Sequence, residues 1–488
     1  MQQLQQKYSI FILLLIWGVG TFYRFYLWDH FYGWEESDYG NLAMVYGVWD
    51  SGFTHFDMNH MPGYYAISAL FLFIVDDVVV AAKLASSIGG SVAFLLSMWL
   101  LFRYGGFWPS LIGGIAMLIQ PEFSLYASSS LREPVYACFL LCFLYCFTST
   151  RYKTCGLFAL LAFSVRFESP IAFAPLLLFL LFRKQFVPFL SIVLPLIIGM
   201  VLWSVYCHYM FDTYQFWAHA TQSNVDTGLG AEAESRGQWF FRGAGVSLSL
   251  FSHLLPWRIG WLIWLGLFIF PFVVQRKSKW LPMSILAYSL IGVWLAIAFV
   301  AQHDPIHNLY WKWLCPFVPV VVPVGVMGVW LAMNHLSASV STKVIVWGAG
   351  IGQLLFSHTQ ESQRQIQRAE ELYAPQLFLA KHLEAQAPAD KLLLIDNIPA
   401  CWIRRQPSDL QMISWFDVPV GPNNPEQFST WLRENNVWAV MWFKEDWTQA
   451  PEIAPFLSDG GQWEYNDVRL EEQQREDQYG WIYFQVKQ

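Results

Sequence analysis

Hydrophobic and polar positions fall in long alternating blocks along this chain. Apolar runs lie near residues 8–28, 77–101, 107–126, 133–149, 155–165, 168–182, 187–208, 257–274, 280–300, 316–332 and 343–357. Many come close to the roughly 20 residues a helix needs to cross about 30 Å of hydrocarbon. The pattern predicts a polytopic α-helical membrane domain over 1–357 with about eleven crossings. The short runs flanking Arg166 and Glu168 read either as two spans or as one kinked helix with a re-entrant piece. Three stretches stand apart: 29–76, 209–256 and 358–488. The second mixes aromatics with Gly and Ser, as suits either a mobile cover over a site or a plain long loop. In the third, ESQRQIQRAEELYAPQLFLAKHLEA is helix-patterned and KLLLIDNI strand-like. EQFSTWLRENNVWAVMWF then reads as helix and strand before a closing YGWIYFQVK, which predicts a small α/β domain.

Composition agrees with a membrane protein. Hydrophobic residues make up 55% of the chain and charged ones 13%, against roughly one quarter charged in soluble domains. Lys7, Arg103, Arg151, Lys153, Arg183, Lys184, Arg276, Lys277, Lys279 and Lys343 all fall on one side of the eleven-span arrangement, with no acid among them. The positive-inside bias therefore predicts a cytoplasmic amino terminus and an extracytoplasmic carboxyl-terminal domain. The first span contains Arg24 and lacks a small-residue cleavage site, so it reads as a retained span and not a signal peptide. Net charge is −7, spread over both faces, which gives no footprint for nucleic acid. Cys138, Cys142 and Cys146 repeat along one helical face and read as packing.

Chemistry concentrates after the first span, where GWEESDYG places Glu35, Glu36 and Asp38 together. Carboxylates this close in a partly desolvated pocket cannot all stay ionised without cations, so one is left as a usable base. The plainer reading is a solvated acidic loop. Beyond them stand His55, Asp57 and His60, then an aromatic-apolar run from Gly63 to Ile67 suited to lying flat at the membrane interface. The His/Asp spacing matches no strong zinc signature. If a metal binds, Glu36, Glu122, His55 and Asp57 are the candidate ligands, and an oxygen-preferring ion such as Mg²⁺ or Mn²⁺ the candidate occupant.

The run RFYLWDHFYGWEESDYGNLAMVYGVWDSGF followed by NHMPGYYAI resembles the first external loop of the integral-membrane type C glycosyltransferases. It is most similar to bacterial members related to protein O-mannosyltransferases and the lipid A aminoarabinose transferase. Arg24, Glu35-Glu36, Tyr39, Ala43, His60, Pro62, Tyr64 and Tyr65 occupy the family's motif places, with Glu where the family has Asp. The resemblance continues through QPEFSLYASSSLREPVYACFLLCFLY and GLFALLAFSVRFESPIAFAPLLL to about residue 185, with a fainter match at HDPIHNLYWKWLCPFVPVVVP.

The resemblance implies an inverting enzyme that moves a sugar from a polyprenyl phosphate to a glycan, lipid or protein acceptor on the outer face of the cytoplasmic membrane. It implies Glu35 as base, with Glu36 as partner and Asp38 as substitute. Arg24, Arg132, Arg166 and Lys312 are the candidate cations for the lipid phosphate, with His60, Tyr64, Tyr65, His307 and Tyr310 as further contacts. Each Arg also has a bland role, snorkelling or pairing with a neighbouring acid, as Arg132 with Glu133 and Arg166 with Glu168. The rival expectation is a transporter or a non-catalytic lipid- or glycan-binding protein. Transporters, however, hold their acids near the bilayer midplane.

Overall fold

Every apolar run is helical in the computed structural model, which describes residues 2–29, 45, 61–215, 217, 235–274, 279–302, 312–368, 392–395, 411–415, 418–443, 450–476 and 481–487. In order come α1 (Gln2–Tyr26), α2 (Pro62–Phe71), α3 (Val78–Gly105), α4 (Phe107–Leu118), α5 (Pro121–Tyr126), α6 (Glu133–Thr148), α7 (Tyr152–Val165) and α8 (Ser169–Phe182). Then follow α9 (Phe186–Phe211), α10 (Arg236–Ser249), α11 (Leu255–Ile259), α12 (Trp261–Val273), α13 (Leu281–Ala301), α14 (Val318–His335) and α15 (Val340–Arg368). Six are long and apolar enough to cross a membrane, and a bent pair, Arg236–Ile259 with Trp261–Val273, makes a seventh. Four shorter apolar helices, α4 and α6 to α8, complete the set.

Two expectations change. The segment 209–256 is not one loop, because Arg236–Ser249 is helix α10 and runs through a π turn at Leu250–Leu254 into α11. Its Ser235 cap accepts from the Gln238 amide at 3.3 Å, and α10 packs on α13. Any covering segment is confined to residues 218–234, outside the described residues. Nor do the rings of Tyr64 and Tyr65 lie flat on a membrane interface, since both are fully buried within the protein. The Tyr64 hydroxyl finds Ala82 O and Ser86 Oγ on α3, both at 3.2 Å, and a buried phenol needs such partners.

The runs around Arg166 resolve as two helices. The chain leaves α7 at Arg166 in an extended conformation, and Pro170 opens α8. Pro is tolerated in the first helical turn, where its missing N–H is not required.

The helix is also interrupted between α11 and α12, where Gly260 takes φ +95 and the axes turn by 114°. Backbone groups freed there face an apolar surround and must be satisfied from elsewhere. Gln353 of α15 does so, accepting from Trp261 N at 3.2 Å and donating to Trp257 O at 2.9 Å. Replacing Gln353 by Leu strands both groups, an expected cost of about 1–3 kcal/mol. A detergent melting curve measures it, and an unchanged midpoint would show that the amide is dispensable.

The chain divides into two compact units, the first including Val80–Arg364 and the second Gln365–Gln488. The second unit carries β1 (Leu392–Ile395), β2 (Gln411–Ser414), α16 (Pro425–Glu434), β3 (Val437–Phe443), α17 (Ala450–Ile453), β4 (Gln462–Tyr465), β5 (Val468–Glu476) and β6 (Trp481–Lys487). Its sheet order is β2-β1-β3-β6-β5-β4, with β1 parallel to β2 and β3 and the remaining pairs antiparallel. Leu394, Val440, Ile482 and Phe484 bury one sheet face beneath Trp415 and the α16 residues Phe428, Trp431 and Leu432. Trp415 donates its indole N–H to Met441 O at 2.7 Å, and Trp442 donates to Ala454 O at 2.9 Å. Phe428→Ala is expected to cost about 3–5 kcal/mol in this core. Protease sensitivity of the second unit reads it.

Candidate active site

Ion-paired acids and arginines lie toward one end of the helical bundle, and Arg103 and Lys279, both read as cytoplasmic, lie together toward the other. α3 shows the polarity: Lys83 and Ser86 lie near its start, whereas Arg103 near its end donates to Ser149, just past the end of α6, at 3.2 Å. Beside Arg103, Lys279 sits 5.9 Å from the centre of the Tyr104 ring. At the other end, Glu133 opens α6, where a helix N-terminus favours negative charge.

Two charge triads are built there. Arg166, between α7 and α8, grips Glu168 side-on (Nη2 to Oε1 2.9 Å, Nε to Oε2 3.3 Å) and reaches the buried Glu133 with Nη1 at 3.1 Å. Arg258 of α11 bridges Glu122 at 3.1 Å and Glu361 of α15 at 2.7 Å. Gln120 caps α5, accepting from Phe123 N at 2.7 Å while its amide donates to Glu122. Close by, Tyr23 of α1 and His358 of α15 share a 2.9 Å hydrogen bond. Between the triads lies the buried Cys315, within electrostatic reach of Arg24, Glu122, Glu133 and Arg166. Its amide donates to the carbonyl of the buried Lys312 at 3.1 Å, which ties Lys312 to the same region.

Arg24 differs from the other arginines. It is 1% exposed, donates only Nη1 to Gly20 O at 2.9 Å, and lies over the rings of Phe94 and Phe123 at 5.1 and 4.9 Å. Among the described residues its Nε and Nη2 have no hydrogen-bond partner.

Of the predicted site residues, Arg24, Arg166 and Lys312 are all buried. Arg166 is paired with Glu133 and Glu168. Arg132 lies 3.9 Å from Glu133. Tyr64 and Tyr65 brace α2, and Glu122, offered as a metal ligand, is engaged by Arg258 and Gln120. Glu35, Glu36, Asp38, His55, Asp57, His60, His307 and Tyr310 lie outside the described residues. No group of three or more metal-ligating side chains occurs among the described residues.

Sequence reasoning passed over Arg258, Glu361 and Lys83. The last is 5% exposed and donates to Trp28 O at 2.9 Å. A lone cation inside an apolar run was the available signal for Lys83 and Arg258, since such charges are rarely idle. Glu361 carried no such mark, because its stretch reads as polar tail. Two residues beyond Arg258, Gly260 helps line a small apolar pocket of about 10 Å³ with Ile112 and Ala116 of α4, Leu262 of α12, and Trp347 and Leu354 of α15.

No protein-family profile and no curated protein matches the sequence. Solved structures do match. ArnT from Cupriavidus metallidurans bound to undecaprenyl phosphate superposes with a TM-score of 0.58 at 13% identity, over 98% of this chain and 97% of that one. The apo state of the same protein gives 0.57 at 13% identity, over 99% and 98%. Over nearly its full length the chain therefore has the fold of ArnT.

Proposed function

We propose that this protein is a glycosyltransferase that takes a sugar from a polyprenyl-phosphate-linked donor and passes it to an acceptor hydroxyl at the outer face of the cytoplasmic membrane. The observation that carries this reading is a buried, charge-dense cluster of arginines and carboxylates in a fold shared with a protein solved with undecaprenyl phosphate. An amphiphilic donor needs cations to meet its phosphate, and arginine is suited to that role.

In the reaction, the acceptor oxygen attacks the anomeric carbon as the bond from that carbon to the phosphate oxygen breaks, with inversion. The acceptor proton passes to Glu35, with Glu36 holding the local charge, and the polyprenyl phosphate departs as an anion met by the cluster's cations. Glu35→Gln is expected to lower transfer roughly 10²–10⁴-fold, the range a positioned general base contributes. Glu36→Gln is expected to act less strongly. Radiolabelled sugar transfer by the purified protein reads both. Undiminished transfer by Glu35→Gln would remove this residue as base, and absence of transfer by the native protein across a panel of donor sugars would favour a binding protein or transporter.

The mechanism routes no step through a metal ion, because Glu122 is taken up by Arg258 and Gln120. Chelation with EDTA is therefore expected to leave transfer within about twofold, whereas loss restored by Mg²⁺ or Mn²⁺ would return a metal to Glu36, His55 and Asp57.

A further inference from the structure

A buried guanidinium without partners is costly, because taking an ion out of water is recovered only through opposite charge and hydrogen bonds. The bundle observes this at Arg166 and Arg258, each held by two carboxylates. Arg24 breaks the rule while being the most deeply buried of the three, at 1% exposure. The donors it leaves open are Nε and Nη2, which lie on one edge of the planar fork. That edge offers two parallel N–H groups at the spacing of two oxygens of a phosphate.

The surroundings hold the fork in place. Phe94 of α3 and Phe123 of α5 sit over the guanidinium, and Nη1 is anchored to Gly20 O. Gly90 of α3 lies beside Nε, and its lack of a side chain lets the neighbouring segments pack closely there. A Cβ there would stand 3.6 Å from Nε, 3.5 Å from Pro134 at the start of α6, and 2.6 Å from the Ala127 Cβ. Nothing on α1, α3 or α5 supplies the missing anion among the described residues. A fixed, desolvated fork with two free donors is preorganised for an incoming oxyanion and destabilises the empty protein.

We infer that Arg24 is a binding residue whose free edge takes two phosphate oxygens of the polyprenyl donor or product. This rests on the proposed transferase reading, and goes beyond it by separating Arg24 from Arg166 and Arg258, whose charges are already met by the protein.

The test compares wild type, Arg24→Gln and Arg24→Lys in phosphatidylcholine nanodiscs, by thermal melting and by binding of undecaprenyl phosphate, undecaprenol and inorganic phosphate. Wild type should bind the lipid phosphate at least tenfold more tightly than the alcohol. Arg24→Gln should lose that preference while melting, without ligand, at or above the wild-type temperature. Arg24→Lys should recover only part of it, because one ammonium cannot replace the fork. A sharp fall in the unliganded melting temperature of Arg24→Gln would make Arg24 a structural charge, and an intact preference for phosphate over alcohol would place the anion elsewhere. Either result overturns the inference. Protection of wild type by inorganic phosphate but not by the lipid would overturn the lipid source. Sugar transfer is measured in the same samples. If native protein fails to transfer yet Arg24→Gln abolishes phosphate discrimination, the transferase reading falls and the Arg24 site stands.

Discussion

A Gly266→Val chain is expected not to assemble its helical bundle. Gly266 of α12 faces Gly325 and Gly328 of α14 with backbone against backbone. A Cβ on Gly266 would fall 1.9 Å from Gly325 O, and one on Gly328 would fall 2.0 Å from Gly266 O. Those neighbours are main-chain atoms and cannot rotate aside, so even Ala forces the two helices apart along their length. Small residues at such contacts are what lets apolar helices approach closely in lipid, where no hydrophobic drive joins them. The controls sit on α15, where Gly348 and Gly352 have nothing within 4 Å of an added Cβ. Gly348→Ala and Gly352→Ala should be neutral or slightly stabilising, since Ala has the higher helix propensity by about 1 kcal/mol. Monodisperse yield and melting temperature in detergent separate the two groups. Normal assembly of Gly266→Val would mean that α12 and α14 do not meet as described.

The second large effect is at Arg166. Arg166→Gln removes the 3.1 Å ion pair of Glu133, whose side chain is fully buried, and both bonds to Glu168. Breaking a buried pair by deleting one member typically costs about 3–5 kcal/mol, because the remaining charge stays desolvated and unmet. Here one deletion weakens the pairing of two carboxylates, with Arg132, 3.9 Å from Glu133, left as the nearby cation. The loss should be recovered largely by Glu133→Gln and Glu168→Gln in the same chain, since three neutral amides carry no uncompensated charge. Melting curves of the single and triple variants test it. A triple variant no more stable than Arg166→Gln would show that Arg166 acts through packing, for instance against Tyr136, 5.9 Å from its guanidinium carbon.

The helical architecture was legible because hydropathy alone places helices in a membrane protein: backbone groups in hydrocarbon must be satisfied within each segment, so every apolar run became a helix. The strand assignments of LLLI, VWAVMWF and WIYFQVK also stand in the sheet. The side on which charges fall was readable too. Arg103 and Lys279 cluster at one end of the bundle, and Glu122, Glu133 and Glu168 at the other, because a charge is tolerated only near the ends of such helices.

Which charges neutralise one another was not legible. Arg166 finds Glu133, distant in sequence, and Arg258 finds Glu122 and Glu361 from two other helices. Such pairing depends on which helix faces meet, and periodicity says nothing of that for segments apolar all round. The same limit hid Gln353 as the partner of a broken helix, and it hid Arg24 as the buried cation with an open edge. The amino-acid sequence by itself determined the helices, their apolar character and the two ends to which charge is sorted, since these follow from solvation of each segment alone. Only the tertiary structure decided which arginines are held by carboxylates and which keeps an open edge among the described residues, since that is settled by contacts between helices far apart in the chain.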